Sequence, residues 1–329
     1  MSKRPFRRED MPRQAIVLCA GIGRRLQPFT DRCPKPLLPF LNVPLLEHVL
    51  DHLERGGVRR VALNAWHLAE QIEDFVAQRP SSMLQLHVER EAELLGTGGG
   101  LRNLMSWMEP SPVFVSTADI LTDVDLDALA ARHAETGAEA TMALAADADV
   151  AHFGAVEVDH DGLLTDIVGK LGRPGERACV NASVHLLEPA FLARLPAGTS
   201  CLVRQGYLPA MRQGMRCAGL IHRGAWAELG TPAALLAAQC DALSGALPVS
   251  AKLMHRGGLL DGIESLVHPD ARVAEGAVLS GGTVVGAGAQ VGEGARVHAS
   301  LLLPGAIVSA GAALEHTILD AHPAKVGSS

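Results

Sequence analysis

The stretch Ala15-Ile16-Val17-Leu18-Cys19-Ala20-Gly21-Ile22-Gly23-Arg24-Arg25-Leu26 decides the fold class. Its opening apolar run, Ala15–Cys19, ends at a glycine-rich turn and reads as a strand that delivers its carboxyl end to a tight loop. A turn of this kind lets backbone N–H groups come close to a phosphate or a base. It is not the dinucleotide fingerprint, because GxGxxG needs glycine where Leu26 stands, and it is not a P-loop, because no Gly-Lys-Ser/Thr follows. Arg25 and Lys35, the latter between Pro34 and Pro36, place two fixed cations over the turn, which suits a triphosphate.

Outward from this turn, short β-branched runs alternate with helical spacing. Leu45, Leu46, Val49, Leu50 and Leu53 mark a helix that stops at Gly56-Gly57, and Val58–Asn64 is a second strand. Leu68, Ile72, Phe75 and Val76 mark the next helix, and Leu84–Glu89 the third strand. A glycine run and a helix carrying Leu101, Leu104, Met105 and Met108 follow, and Val113–Ser116 is the fourth strand. This alternation predicts an α/β fold: a Rossmann-like, mostly parallel sheet with helices on both faces and ligands at the carboxyl ends of its strands. Shorter strands between residues 140 and 225, with turns such as His160-Asp161-Gly162, read as sheet additions that wall a pocket.

From residue 267 a strict period of six takes over: Val267, Val273, Leu279, Val285, Val291, Val297 and Leu303. Small or apolar residues stand four positions later, at Ala271, Ala277, Thr283, Ala289, Ala295, Leu301 and Ile307. Hexapeptide periodicity predicts a left-handed parallel β-helix, with the aliphatic residue on the axis and the small one at the corner. Eight units, counting a degenerate one at Ser309, predict fewer than three full coils. So short a stack is expected to pack against the first domain or a second subunit, with Leu301, Leu302 and Ile307 as candidate contacts.

Composition narrows the function. The 329 residues carry 29 Lys+Arg against 36 Asp+Glu, a formal charge of −7, with aromatics at only 3%. That combination lacks the basic footprint and stacking platforms of a nucleic-acid binder. Hydrophobic residues at 48% and charged residues at 20% describe a folded chain whose core is aliphatic. No stretch approaches the ~18 apolar residues of a membrane span, and the run after the basic N-terminus is too short for a secretory signal. The six cysteines form no CxxC pair and suit a reducing cytoplasm.

The opening motif, with Ala20, Gly21, Gly23, Arg25, Leu26, Pro28, Thr30, Pro34, Lys35 and Pro36, resembles the signature of the sugar-1-phosphate nucleotidylyltransferases. Arg24 replaces that family's threonine. Further segments match in the family's order: Leu95-Gly96-Thr97-Gly98-Gly99-Gly100-Leu101, Thr117-Ala118-Asp119-Ile120-Leu121, Phe153-Gly154, Gly169-Lys170, Val180-Asn181-Ala182 and Trp226-Ala227-Glu228-Leu229-Gly230-Thr231-Pro232. The resemblance covers roughly residues 13–240, and the repeat tail is similar to that of the family's two-domain members. It implies a tail at 1–12, a nucleotidyltransferase domain at 13–245, a linker at 246–265, the β-helix at 266–320 and a second tail at 321–329.

The resemblance also implies the reaction: a sugar-1-phosphate oxygen attacks the α-phosphorus of a nucleoside triphosphate and pyrophosphate leaves. The nucleophile is already an anion, so catalysis reduces to bringing anions together and neutralising developing charge. Asp119 and Glu228 are the implied Mg²⁺ ligands, Glu228 standing where the family has aspartate. Arg25 is expected on the β- and γ-phosphates and Lys35 on the α-phosphate. Leu18, Ala20, Gly21, Gly23, Gly96 and Thr97 are the implied nucleotide contacts, and Gly154, Lys170 and Asn181 meet the sugar phosphate. The expected partners are therefore a nucleoside triphosphate and a sugar 1-phosphate, with a homo-oligomer through the β-helix an open option.

Base and sugar stay open at this level. The pattern is most like a mannose-1-phosphate guanylyltransferase; a uridylyl- or thymidylyltransferase acting on glucose- or N-acetylmuramate-1-phosphate is the alternative. A catalytically weak regulatory paralogue is the other, given Arg24, Ala118, Gly169 and Glu228. An acyltransferase built on the β-helix is disfavoured, since His298 is the sole histidine well inside the array. Asp123, Asp125 and Asp127 read as caps and solvated charges, Trp66 and Trp226 as core. His67, His152, His185 and His222 lack metal-ligand spacing and read as surface or packed residues.

Overall fold

The computed structural model describes residues 11–79, 83–261 and 265–321. Most of the two expected tails, including Arg4, Arg7 and Arg8, lies outside the described residues, whereas Met11 and Pro12 are buried. The chain divides into two units: one holds the segment up to Gly21 together with Val49–Trp226, the other Ile22–His48 together with the chain from Ala227 onward.

In the first unit the central sheet runs in the order Gln85–Arg90, Arg60–Ala65, Gln14–Leu18, Val113–Thr117, Arg177–Leu187. The first four pair in parallel and are the third, second, first and fourth strands in chain order, each within two residues of its expected start. The inner three are almost continuously buried, as strands covered on both faces must be, whereas Gln85–Arg90 at the edge is half-buried with exposed ends. Arg177–Leu187 is antiparallel to Val113–Thr117 and extends the sheet in two directions. One branch is Ala140–Ala145 with Cys217–His222; the other is Val156–Val158 with Leu164–Ile167. These additions fall where the short strands after residue 140 were expected, and they make the whole sheet mixed.

The first unit's core is aliphatic around Ile16, Ala62, Val115, Met142 and Leu144, with Phe114, Phe191 and Tyr207 as large fully buried rings. Tyr207 is not left with an orphan hydroxyl: its oxygen lies 3.0 Å from Nδ1 of buried His185. Burial pushes the His185 pKa down to about 4. An imidazole whose folded pKa lies below its unfolded one favours folding only while neutral. Its contribution, roughly 3 kcal/mol, should be complete above pH 6.5 and be lost as the pH falls from about 6.5 to about 4. Urea midpoints measured across that window should fall for the native chain and stay flatter for His185→Gln; equal slopes would remove His185 from the account.

In the second unit the repeat array is a three-sided coil. Its strands stack in parallel on three faces: Ser265–Val267 through Ile318–Leu319, Arg272–Val273 through Ile307–Val308, and Val278–Ser280 through Ala313–Glu315. Among the described residues this makes three turns and the first side of a fourth, more than the repeat count predicted. The reason is a change of period. Leu266 pairs with Val284, eighteen residues on, but Val284 pairs with Leu301, seventeen on. The two-residue corner Gly281-Gly282 becomes one residue at Ala299 and again at His316, each in the left-handed region. Leu302, Ala306 and Val308 therefore take the inward positions expected of Leu303 and its followers, while Ile307 is 64% exposed.

Within this unit the coil packs on elements from the predicted catalytic stretch. The Asn42 Nδ2 donates to the carbonyls of Gly257 and Val285, both at 2.9 Å. The helix Pro232–Ser244 presents fully buried Gln239, whose Nε2 donates to the Gly282 carbonyl at 2.9 Å. Within the stretch 246–265, Ala251–Gly257 is helical, and its Arg256 pairs with buried Glu47 at 3.0 Å. Truncation after Leu247 should thus strip cover from the helix and lower the melting temperature on the order of 5 °C. Unchanged melting of the truncated chain would refute the packing role.

Candidate active site

Parallel pairing sets Leu18 beside Thr117, so the carboxyl ends of the first and fourth strands lie side by side. The chain leaves these two strands toward opposite sides of the sheet, which is the switch point where such folds bind ligands. The Ala118 N–H donates to the Leu18 carbonyl at 3.1 Å, and half-buried Asp119 follows immediately. Burial, and then the negative charge of Asp119, push the thiol of Cys19 far above its ordinary range. Cys19 is therefore a protonated, buried side chain and no nucleophile.

A buried polar chain holds this corner. The Cys19 N–H donates to Oδ1 of Asn64 at 2.7 Å, and Nδ2 of Asn64 donates to Oε1 of Glu91 at 2.8 Å. Oε2 of Glu91 accepts the Leu95 N–H at 3.0 Å. Asn64 and Glu91 are 2% and 4% exposed. The glycine run, read in the sequence as preceding a helix, is itself the first turns of the helix Gly96–Leu104. A side chain does not fit there: a Cβ on Gly100 would lie 2.6 Å from Nδ2 of Asn64 and 3.0 Å from Oε1 of Glu91. Thr97 is engaged too, its Oγ1 accepting the Leu202 N–H at 2.9 Å.

Gly154, Asn181 and Trp226 are brought together elsewhere in the first unit. Gly154 ends the short helix Val150–Phe153, and the Phe153 ring meets Trp226 edge-on at 5.0 Å. Nε1 of Trp226 donates to the Ala182 carbonyl at 3.2 Å, next to Asn181, whose Oδ1 accepts the Ser183 N–H at 2.8 Å. A cavity of about 290 Å³ lined by Phe153, Trp226, His222 and Asp149 opens here. Lys170 is exposed, on a loop gathered around the buried carboxylate of Asp166. Burial acts to raise the Asp166 pKa, but N–H donors from Leu171, Arg173 and Ile167 outweigh it, and the net direction is down. The loop is thus tied to an ionised carboxylate.

The second unit holds Gly23, Arg25, Lys35 and Glu228. Gly23 adopts φ 69°, and a Cβ there would lie 2.9 Å from Cγ2 of Thr30 and 3.1 Å from Cβ of Lys35. Only glycine suits both the backbone and the space, and the tight fit seats the base of the Lys35 side chain. Lys35 is buried, while Arg25 is half exposed and donates from Nη2 to Oε1 of Glu228 at 2.5 Å. The predicted phosphate cation and the predicted metal carboxylate are thus partners of each other. After Glu228 the chain enters the helix Pro232–Ser244, with Thr231 accepting the Ala234 N–H at its N-terminus and Pro232 in its first turn.

The family model for nucleotidyl transferases matches residues 14–245. The chain belongs to this family. The transferase is 32% identical over 303 residues to a mannose-1-phosphate guanylyltransferase of Mycobacterium tuberculosis, covering 92% of this chain and 82% of that one. It is 33% identical to the catalytic subunit beta of the same enzyme from Drosophila pseudoobscura pseudoobscura, covering 93% and 82%. Among solved structures, HddC from Yersinia pseudotuberculosis complexed with GMP-PN shares the fold with a TM-score of 0.59 at 22% identity, covering 69% of this chain and 98% of that one.

Sequence reading assigned no role to Glu91 and gave Asn64 no part in holding this corner. Their signal was faint: two polar residues at strand ends, whose partners lie far along the chain. Asn64→Ala would leave the buried Cys19 N–H unpaired, at a cost of about 1–3 kcal/mol. Gly100→Ala should also destabilise the transferase, whereas alanine for glycine inside a helix normally gains roughly 0.5–1 kcal/mol. Denaturant unfolding of both variants is the measurement, and a stabilised Gly100→Ala would show that the corner is looser than described.

Proposed function

We propose that this transferase moves a guanylyl group from GTP to mannose 1-phosphate and releases pyrophosphate. Two relatives named for that activity, aligned over more than nine tenths of the chain, support the choice of base and sugar. The observation that carries the chemistry is the half-buried Asp119 carboxylate set just past the fourth strand at the switch point.

Asp119 and Glu228 are the carboxylates proposed to hold Mg²⁺. Two carboxylate donors without imidazole or thiolate suit this hard cation. When bound, it neutralises charge on the reacting phosphates. Arg25 holds the β- and γ-phosphates, and Lys35 the α-phosphate and the departing bridge oxygen. The backbone from Leu18 through Ala20, Gly21 and Gly23, with Gly96 and Thr97, receives the nucleotide. Lys170 meets the sugar phosphate, and Asn181 with the Gly154 backbone the sugar hydroxyls. No general base is needed, because the attacking phosphate oxygen is already an anion. Cysteines that are all free fit a cytoplasmic place of work.

Pyrophosphate release measured over four NTPs, with mannose, glucose and N-acetylmuramate 1-phosphates, tests the reading. The highest kcat/KM is expected for GTP with mannose 1-phosphate. A preference for UTP or dTTP would replace the substrate, and no turnover with any pair would make the chain a binding or regulatory member of its family. Asp119→Ala should fold normally and lose about three orders of magnitude in turnover, roughly 4 kcal/mol of transition-state stabilisation. Arg25→Ala should chiefly raise the KM for the nucleotide, while Lys35→Ala should chiefly lower kcat, because charge builds on the oxygen it faces. Purely KM effects from both would contradict that division.

A further inference from the structure

Coil stacking in the array lines up residues that are far apart in sequence. Ser280 pairs with His298, and His298 with Glu315, so the three form one column on a single side of the coil. The corner residue after Glu315 is His316, held at φ 47°. Its ring stands edge-on to that of His298 with centroids 5.7 Å apart. One ligand-capable atom from each of His298, Glu315 and His316 lies within 4.8 Å of the other two, and all three residues are exposed. Oγ of Ser280 lies 3.0 Å from Nδ1 of His298. The nucleotidyl-transfer chemistry uses none of these groups.

We propose that His298, Glu315 and His316 form a binding site for one first-row divalent transition metal ion, of which Zn²⁺ is the natural candidate. Two imidazoles and one carboxylate are the donor set that favours Zn²⁺, Co²⁺ or Ni²⁺, whereas Mg²⁺ prefers oxygen alone. Metal–ligand bonds of roughly 2.0–2.2 Å need the three atoms somewhat closer than their present upper separation. Exposed side chains reach that by small rotations. Three protein ligands leave the fourth tetrahedral position to water. Ser280 supplies what an isolated surface histidine lacks: with Nδ1–H donating to the hydroxyl, the ring is oriented and its lone pair sits on Nε2. The one-residue corner keeps His316 directly against the column, so that the ion joins the second turn of the coil to the third.

The test uses the full-length chain without any affinity tag and with Mg²⁺ in excess. Zn²⁺ is titrated calorimetrically, and Co²⁺ by its visible absorption. The native chain should take up one equivalent and melt at a higher temperature with Zn²⁺ than without it. His298→Ala, His316→Ala and Glu315→Gln should each weaken binding at least tenfold, and Ser280→Ala about tenfold through the lost ring orientation. The His298→Ala/His316→Ala double variant should melt normally without metal and show no Zn²⁺-dependent rise. Glu315→Gln, nearly isosteric and exposed, keeps the test decisive if a histidine variant folds poorly. Failure of the native chain to bind either ion up to about millimolar concentration, or unchanged affinity in the double variant, would overturn the proposal.

Discussion

The hydrogen bond from the Cys19 N–H to Asn64 is the constraint on which the candidate site's corner rests. The parallel ladder between the first two strands ends at Leu18 and Asn64, and the next buried donor is taken by the Asn64 side chain instead of a backbone carbonyl. The chain is thereby free to turn away at Ala20-Gly21 without burying an unpaired N–H, which would cost about 1–3 kcal/mol. Glu91 fixes which way the Asn64 amide faces, and its second oxygen fixes the approach to the helix Gly96–Leu104. The strand end, the turn and the helix start are therefore one polar unit, and Gly100 of that helix leaves room for it.

Periodicity made most of the fold legible. Apolar spacing located the four parallel strands to within two residues, and the period of six announced the coil. Interactions at long range were not legible. The run Gly96-Thr97-Gly98-Gly99-Gly100 looks like a flexible loop when propensity alone is weighed, because glycine is poor in helices. The reason lies in Asn64 and Glu91 for Gly100, and in Gly198, Ser200 and Cys201 for the glycines before it, none of which a local pattern connects to the run. The candidate site divides the same way. Contiguous motifs nominate Asp119, Lys35 and Glu228 directly from the chain. The burial of Asn64, the seating of Lys35 against Gly23 and the partnership of Arg25 with Glu228 were not legible there.

The array shows how a repeat misleads at its end. Counting in sixes stops at the first shortened corner, since dropping one residue at Ala299 shifts every later inward position by one. Leu302 and Val308 then look out of phase in sequence although they are in phase in space. Stacking tolerates the change because each rung pairs only with its neighbours. The same local freedom lets a corner residue such as His316 take on a side chain unrelated to the core.

The pairing of Arg25 with Glu228 has a thermodynamic consequence. With the roles proposed here, one member is committed to a triphosphate and the other to a cation, yet each occupies its counterpart's binding group beforehand. A triphosphate that draws Arg25 away leaves a carboxylate released for the cation, and a cation on Glu228 releases the guanidinium. The two ligands then share one exchange cost, so whichever arrives first lowers it for the second. Heterotropic cooperativity of this kind is reciprocal by necessity, and it requires no movement beyond that of two side chains.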